Sequence, residues 1–155
     1  MSDADVETFD HDAHMARAIE LAREAVARGD RPFGSVLIRD DEVIMEDSNR
    51  VNTEDDIRCH PELHLAHRAV RELDAGERAG TVMYTSTEPC PMCAGGLRQA
   101  GLARVVYSVS GDELRAVTGG EPTVSAAEIL DGITAVDGGV RRKEGLALHQ
   151  EFFGD

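Results

Sequence analysis

The segment from Thr81 to Cys93 constrains the fold most, because it joins a buried strand to a helix that begins with two thiols. Thr81–Ser86 reads TVMYTS, and its continuous apolar centre is typical of a strand buried in a parallel sheet. Cys90 and Cys93 follow closely and lie at the start of a predicted short helix, PMCAGGLRQA. We therefore expect both thiols near the carboxyl end of a strand, where α/β sheets bind their ligands.

The rest of the chain alternates between strand and helix patterns. Helices are predicted for residues 11–28, 60–73, 91–100, 125–130 and 142–153. Strands are predicted for residues 33–39, 43–47, 81–86, 103–109 and 133–136, and polar or patternless loops for 48–58 and 111–124. An opening hairpin followed by strand–helix alternation indicates an α/β sandwich, with one partly parallel sheet between helices on both faces.

The length and charge of the chain limit its organisation and its partners. A chain of 155 residues suits one domain, which we place at residues 11–155 after a flexible acidic arm at residues 1–10. The formal net charge is −14, and Lys143 is the one lysine in the sequence. Such a surface repels nucleic acid and anionic membranes. It suits a halophilic, high-salt cytoplasm, and the alternative is an acidic protein from a genome that prefers arginine codons.

The cysteines and the N-terminus predict a reducing compartment. The odd count of three cysteines argues against a disulfide framework and favours metal-binding or catalytic thiols. The acidic start MSDADVETFDHDAH has no apolar core, so we expect no signal peptide. No run approaches the ~18 apolar residues of a membrane helix. These features together predict a cytoplasmic protein.

Two short motifs, each at a predicted helix start, carry the chemistry. Cys90 and Cys93 have the C-x-x-C spacing that lets two thiolates on one helical turn bind one metal. His60 would be the third ligand, which leaves the fourth tetrahedral position to water, as in catalytic zinc sites. Glu62 lies two residues beyond His60 and is placed to face that water.

Other interpretations of these residues stay open at this point. A C-x-x-C pair alone is compatible with a redox pair or with half of a structural zinc site, but neither explains His60 together with Glu62. We interpret Cys59 as a small buried residue beside the site, because neighbouring residues seldom bind one tetrahedral metal. His64 and His67 are interpreted as residues that support the site or lie on the surface of the helix.

The combined pattern H-x-E, then P-C-x-x-C, resembles the signature of the zinc-dependent cytidine/deoxycytidylate deaminase superfamily. The resemblance runs from about residue 11 to residue 153 and is strongest to the branch of guanine, cytosine and tRNA adenosine deaminases. It rests on the stretches RPFGSV (31–36), TSTEPCPMC (85–93), RVVY (104–107) and LHQEFF (148–153). Asn49, eleven residues before His60, matches the substrate-binding asparagine of that family.

The resemblance implies a fold, a reaction and a set of partners. It implies a three-layer α/β/α sandwich with a central five-stranded mixed sheet, one zinc ion per chain and a homodimer. It also implies hydrolytic deamination with release of ammonia, in which Glu62 moves the protons and Asn49 binds the substrate. The C-terminal helix is implied to cap the active site.

The sequence departs from the family in two places, and the substrate stays open. Pro61 stands where the family usually has alanine, and residues 111–125 match neither the guanine nor the tRNA enzymes well. We expect a free nucleobase or nucleoside as substrate, with a guanine-type purine ahead of cytosine. The alternatives are a tRNA adenosine deaminase, which the charge disfavours, and a non-catalytic zinc-binding interaction domain.

Overall fold

A computed structural model describes residues 6–154 of the chain. The strands are β1 (Gly34–Arg39), β2 (Glu42–Ser48), β3 (Thr81–Thr87), β4 (Arg104–Val109) and β5 (Ala135–Asp137). The helices are α1 (His11–Arg28), α2 (Val51–Glu54), α3 (Pro61–Glu72), α4 (Ala75–Ala79), α5 (Pro91–Ala100), α6 (Gly111–Thr118), α7 (Ala126–Leu130) and α8 (Arg142–Phe153). The strands form one sheet in the order β2-β1-β3-β4-β5.

The sheet is mixed and lies between two layers of helices, which confirms the predicted sandwich. β1 pairs antiparallel with both β2 and β3, whereas β4 pairs parallel with β3 and β5. Alternate residues of each strand point to opposite faces. One face packs on α1 and α8 through side chains such as Val36 and Tyr84, and the other packs on α3, α5 and α7 through Leu37 and Met83.

The opening helix and hairpin follow the predicted pattern closely. Asp10 caps α1 by accepting a hydrogen bond from Ala13 N, and Gly29 ends it at φ 101°. Asp40 and Asp41 make the turn between β1 and β2 at φ 51° and 61°, a conformation that aspartate tolerates better than most residues. α1 and β1 approach closely at Gly34, where a Cβ would lie 2.4 Å from a carbonyl oxygen of α1.

The prediction of a loop at residues 111–124 is wrong for residues 111–118, which form α6, and is confirmed for residues 119–124. Ser110 accepts a hydrogen bond from the amide of Glu113, and Glu113 accepts one from the amide of Ser110. This reciprocal capping box stabilises the first turn of α6. The helix buries none of its residues, so its apolar pattern is too weak to predict it. Residues 51–54 of the predicted polar loop likewise form the short α2.

Part of the predicted acidic arm is packed against the domain. Residues 1–5 lie outside the described residues, and Val6–Thr8 form a turn of 3-10 helix. Phe9 is buried in the core beneath α1, so residues 6–9 are not loose. Within residues 6–154, no helix combines the length and the apolar character needed to cross a membrane.

Candidate active site

His60 and Glu62 lie at the start of α3, where the chain turns from an extended loop into the helix. His60 is the residue before the first helical turn, at φ −86° and ψ 135°. Pro61 takes the first helical position, where its fixed φ fits and its missing N–H has no helical partner to lose. This explains how the departure from the family's alanine is accommodated. Glu62 then points inward and is 5% exposed.

Cys90 and Cys93 occupy the start of α5 in an equivalent way. Cys90 precedes the first helical turn in an extended conformation, and Pro91 occupies the first helical position. Cys93 lies within that turn and is fully buried. The C-x-x-C spacing therefore brings both sulfur atoms to the amino end of the helix, whose positive potential favours thiolates.

The three predicted ligands meet at one point. His60 Nδ1 lies 3.6 Å from Cys90 Sγ and 3.4 Å from Cys93 Sγ. In a tetrahedral zinc site the usual bond lengths place a nitrogen and a sulfur ligand about 3.5 Å apart. The donor atoms of these residues all lie within 4.8 Å of one another, and they form the one such group found in the described part of the chain. One nitrogen and two sulfurs at this spacing fit zinc and leave its fourth position open.

The electrostatics of the group favour a thiolate before any metal binds. Hydrogen bonds from the Cys93 thiol and from His60 lower the pKa of Cys90 to about 4. The pKa of Cys93 is raised, because its proton is shared with the Cys90 thiolate and because it is buried. The bond to Cys90 raises the pKa of His60. The pair therefore holds one negative charge, and binding of a metal would displace the remaining protons.

Two hydroxyl groups of the sheet hold the carboxylate of Glu62. Thr85 Oγ1 donates a hydrogen bond of 2.7 Å to Glu62 Oε1, and Ser35 Oγ donates one of 2.7 Å to Thr85 Oγ1. Ser35 and Thr85 are direct partners across β1 and β3, so the register of the sheet sets this arrangement. Burial raises the pKa of Glu62, and the bond from Thr85 opposes that effect.

Asn49 lies in the buried segment between β2 and α2. Its Oδ1 accepts a hydrogen bond of 3.0 Å from the amide of Val51. Its Nδ2 is buried and has no hydrogen-bond partner among residues 6–154. The backbone amide of Asn49 donates to the carbonyl of Phe33 at 2.9 Å. The side chain is thus fixed at one end and keeps a free donor at the other.

A small cavity adjoins Cys90 and is lined mainly by residues that follow β4. Its volume is about 210 Å³. The wall away from the metal ligands comes from α6 and the segment between α6 and α7, including Arg115, Glu121 and Thr123. Glu121 brings a carboxylate to this wall. No sequence pattern pointed to Glu121, because it lies in the segment predicted to be a patternless loop.

Comparison with known proteins decides the family. A model of the cytidine and deoxycytidylate deaminase zinc-binding region matches residues 9–109. The chain belongs to this deaminase family. Guanine deaminase of Bacillus subtilis (strain 168) is 37% identical to this chain over 101 residues, which are 64% of the chain. The matched part covers 65% of that enzyme, slightly less than two thirds of its length.

Two further relatives match nearly the whole length of the chain. The tRNA-specific adenosine deaminase of Agrobacterium fabrum is 29% identical over 144 residues, which are 90% of this chain and 91% of that enzyme. The structure of guanine deaminase from Nitrosomonas europaea superposes with a TM-score of 0.76 and 24% identity, covering 93% of this chain and 85% of that one. This structural likeness confirms the deaminase fold.

Cys59, His64 and His67 are close to His60 in the sequence but lie outside the group that fits a metal. Cys59 is half-buried, burial raises its pKa, and it is not part of the group that fits a metal. His64 and His67 are exposed, and His64 Nδ1 lies 2.9 Å from an oxygen of Asp47. Their supporting or surface role stays a prediction.

His149 is a buried residue near the site that sequence reasoning left without a partner. Its Nε2 lies 2.5 Å from Thr87 Oγ1 at the end of β3, and its ring packs against Phe33 and Phe153. The sequence pattern placed His149 on a predicted helix but showed no partner for it. Its contact with Thr87 depends on how α8 packs against the sheet. The residues that hold Glu62, namely Ser35 and Thr85, were missed for a similar reason.

Proposed function

We propose that the protein is a zinc-dependent hydrolytic deaminase of a free nucleobase or nucleoside, with a guanine-type purine ahead of cytosine. The observation that carries the proposal is the buried Glu62, which lies two residues from ligand His60 and is oriented by Thr85. A non-catalytic zinc-binding domain has no need of a buried carboxylate beside an open metal position. The arrangement therefore favours an enzyme.

The residues of the chain have separate tasks in this reaction. Zinc, held by His60, Cys90 and Cys93, supplies the Lewis acid that makes water nucleophilic at neutral pH. Glu62 takes one proton from water and passes it to the ring nitrogen as the water oxygen bonds to the amine-bearing carbon. It then takes the second proton from that oxygen and gives it to the amine, whose bond to the carbon breaks. The raised pKa of Glu62 suits this double role, because an efficient proton carrier has a pKa near the working pH. The amine leaves as ammonia.

Asn49 is the proposed substrate-binding residue. Its buried Nδ2 has no partner in the described residues, and an unpaired buried donor costs about 1–3 kcal/mol. A ring nitrogen or a carbonyl oxygen of a base would accept this hydrogen bond. Oδ1 is already held by Val51, so the amide would present its donor in a fixed direction.

The size of the cavity supports a small substrate. A volume of about 210 Å³ lies below the usual ~300–1,000 Å³ of pockets for drug-sized ligands. A single base is smaller than such ligands, whereas an anticodon loop needs an extended surface as well. The similarity to guanine deaminase of Bacillus subtilis supports a purine within this class.

The distribution of charge also supports a small molecule over tRNA. The sequence has one cluster of cations, residues 141–143, within a net charge of −14. Arg141 pairs with Asp12 and Glu144, and Arg142 pairs with Glu113. Cations that are paired internally contribute little to phosphate binding. The tRNA adenosine deaminase alternative rests on the full-length similarity to the Agrobacterium enzyme.

Ammonia release from a substrate panel tests the proposal. The panel contains guanine, cytosine, adenine, their nucleosides and a tRNA anticodon stem-loop, with the E62Q variant as a matched inactive control. We expect the highest kcat/KM on a free base and no release by the control. Faster turnover of the stem-loop than of every base and nucleoside would support tRNA instead. No release from any substrate by the zinc-loaded protein would support the interaction domain.

We infer a homodimer and a cytoplasmic location as further parts of this proposal. α3 and α5 present an outer face with exposed Val70 and Met92 beside half-buried Leu63. Burial of such apolar side chains in a twofold interface would stabilise a dimer. Sedimentation equilibrium, compared with a V70E variant, tests it, and a monomer at all concentrations would contradict it.

All three cysteines are free thiols, which suits a reducing cytoplasm.

A further inference from the structure

Glu88 occupies a junction between the metal centre and the wall of the cavity. It directly follows β3 and lies two residues before Cys90. Its backbone amide donates a hydrogen bond of 2.8 Å to the carbonyl of Val109, the last residue of β4. The backbone of Glu88 is therefore tied to two neighbouring strands of the sheet, and its half-buried side chain projects from a rigid base.

Both oxygen atoms of the Glu88 carboxylate accept hydrogen bonds from one distant segment. Oε1 accepts from the amide of Gly111 at 3.0 Å, and Oε2 accepts from the amide of Ala126 at 2.9 Å. Gly111 is the first residue of α6, and Ala126 is the first residue of α7. One carboxylate thus holds the two ends of the segment 111–125.

The held segment forms the outer wall of the cavity. α6 packs on α8, but its apolar Leu114 and Val117 are only half-buried, so this packing holds the helix less firmly than a buried face would. Arg142 pairs with Glu113 on α6, and that pair is exposed to solvent. The contact between Arg115 and Thr123 within the segment is also exposed and is 3.3 Å long. Exposed contacts of this kind add little stability.

The chemistry of the two bonds requires a carboxylate. Both partners are N–H donors, so the side chain must offer two acceptors, which glutamate has and glutamine does not. Hydrogen bonds to an ionised acceptor are about twice as strong as neutral ones. Each oxygen of Glu88 thus has a backbone amide as its partner.

We propose that Glu88 is a positioning residue that fixes the segment 111–125 against the metal centre and thereby sets which base the cavity accepts. This inference rests on the proposed function, since it names the residue that controls substrate choice at the same site. Glu88 acts through the wall residues and does not touch the reacting atoms. Its removal should loosen the wall and leave the metal ligands and Glu62 in place.

The experiment compares E88Q and E88A with E77Q. Glu77 lies in α4, before β3, and its carboxylate also accepts a backbone hydrogen bond, from the amide of Asp74 at 2.9 Å. E77Q therefore removes a similar carboxylate without touching the segment 111–125. In E88Q we expect wild-type zinc content, kcat within about threefold of wild type and KM raised roughly tenfold, as for loss of one charge-assisted hydrogen bond. The preference among bases should shrink by a similar factor. E77Q should keep wild-type kinetics.

Hydrogen exchange measures the same effect without any turnover. The amides of Gly111 and Ala126 should exchange at least about tenfold faster in E88Q, while the amides of α5 keep their protection. E88A should exceed E88Q in both readouts, because it loses both bonds. If E88A fails to fold, the E88Q series decides the proposal alone.

Two results would overturn the proposal. Unchanged exchange at Gly111 and Ala126 in E88Q would show that the carboxylate does not hold the segment. Faster exchange with unchanged KM and unchanged base preference would show that the segment does not select the substrate. If wild-type protein releases no ammonia from any base, the proposed function fails, and the exchange measurement still reports separately on the holding role of Glu88.

Discussion

Thr85 and Glu62 connect the sheet to the helix layer at the point where the chemistry is expected. The hydroxyl of Thr85, in the middle of the sheet, donates a hydrogen bond of 2.7 Å to the carboxylate of Glu62 on α3. A strand residue therefore orients a side chain that a helix delivers. Since the carboxylate is buried, its orientation depends on this bond and on the metal group beside it.

Replacement of Glu62 by glutamine should separate chemistry from folding. E62Q keeps the size of the side chain and a hydrogen-bonding group, but it cannot accept a proton. General acid–base catalysis contributes ~10²–10⁴ in rate, so we expect kcat to fall by at least ~10² with zinc content, unfolding temperature and substrate binding near wild type. Single-turnover kinetics and metal analysis measure this. A wild-type rate would assign the proton transfer to another residue, and loss of zinc would assign Glu62 a role in binding the metal.

Replacement of Thr85 by valine should impair Glu62 without removing it. T85V preserves the volume of the side chain and deletes the hydroxyl, which leaves a buried carboxylate oxygen without its short bond. We expect kcat to fall roughly tenfold and the free energy of unfolding to fall by about 1–3 kcal/mol. S35A is the graded comparison, because Ser35 bonds to Thr85 at 2.7 Å and lies 3.3 Å from the carboxylate, so its loss should lower kcat less than T85V does. Equal kcat values for T85V and wild type would contradict the orienting role.

The metal group predicts different results for the three cysteines. C90S and C93S should each lose zinc and stability together, because folding of the site and metal binding are coupled. C59S should keep both, because Cys59 lies outside the group of donors. Metal analysis and thermal unfolding of the purified variants measure this. Zinc loss in C59S as large as in the other two would make Cys59 a ligand.

His149 should make the stability of the protein sensitive to acid. Burial lowers the pKa of His149 to about 4, below the value of about 6.5 in an unfolded chain. Its contribution to stability is complete above that unfolded value and is lost as the pH falls toward the folded value. We expect wild type to lose about 2 kcal/mol more than H149Q between pH 7 and pH 5. Urea unfolding at both pH values measures the difference, and equal losses would contradict the prediction.

The charge of the chain predicts stabilisation by salt. A net charge of −14 makes the folded chain repel itself, and screening shortens the reach of this repulsion from ~10 Å at 0.1 M to ~3 Å at 1 M salt. The unfolding temperature of the zinc-loaded protein should therefore rise between low and molar KCl. An unchanged or lower unfolding temperature would remove the argument for a halophilic origin.

The residues that could hold a metal were predictable from the sequence because each motif is local. His60 and Cys90 both lie directly before a proline at the first helical position, and such helix starts are visible in a sequence. Only their meeting in space needed the structure. The bounds of α1 were predictable from its helical period, and those of β3 from its continuous apolar centre.

Other features depended on contacts that no local pattern encodes. α6 has a visible signal in Ser110 and Glu113, the S-x-x-E of a capping box, but the helix has no buried face to support it. The bonds of Thr85 to Glu62, and of Glu88 to the segment 111–125, depend on strand register and on the docking of helices. A one-residue shift of β1 against β3 would turn Ser35 to the opposite face.

The place of β3 in the chain and in the sheet has a consequence for the order of assembly. β3 follows His60 and precedes Cys90 in the sequence, and it lies between β1 and β4 in the sheet. The nitrogen and sulfur donors are 30 and 33 residues apart, so their approach closes a long loop. A chain in which only the first hairpin and α3 have formed presents one of the three metal-binding donors, that of His60. We therefore expect the complete zinc-binding group to form only once α3 and α5 have both packed on the sheet.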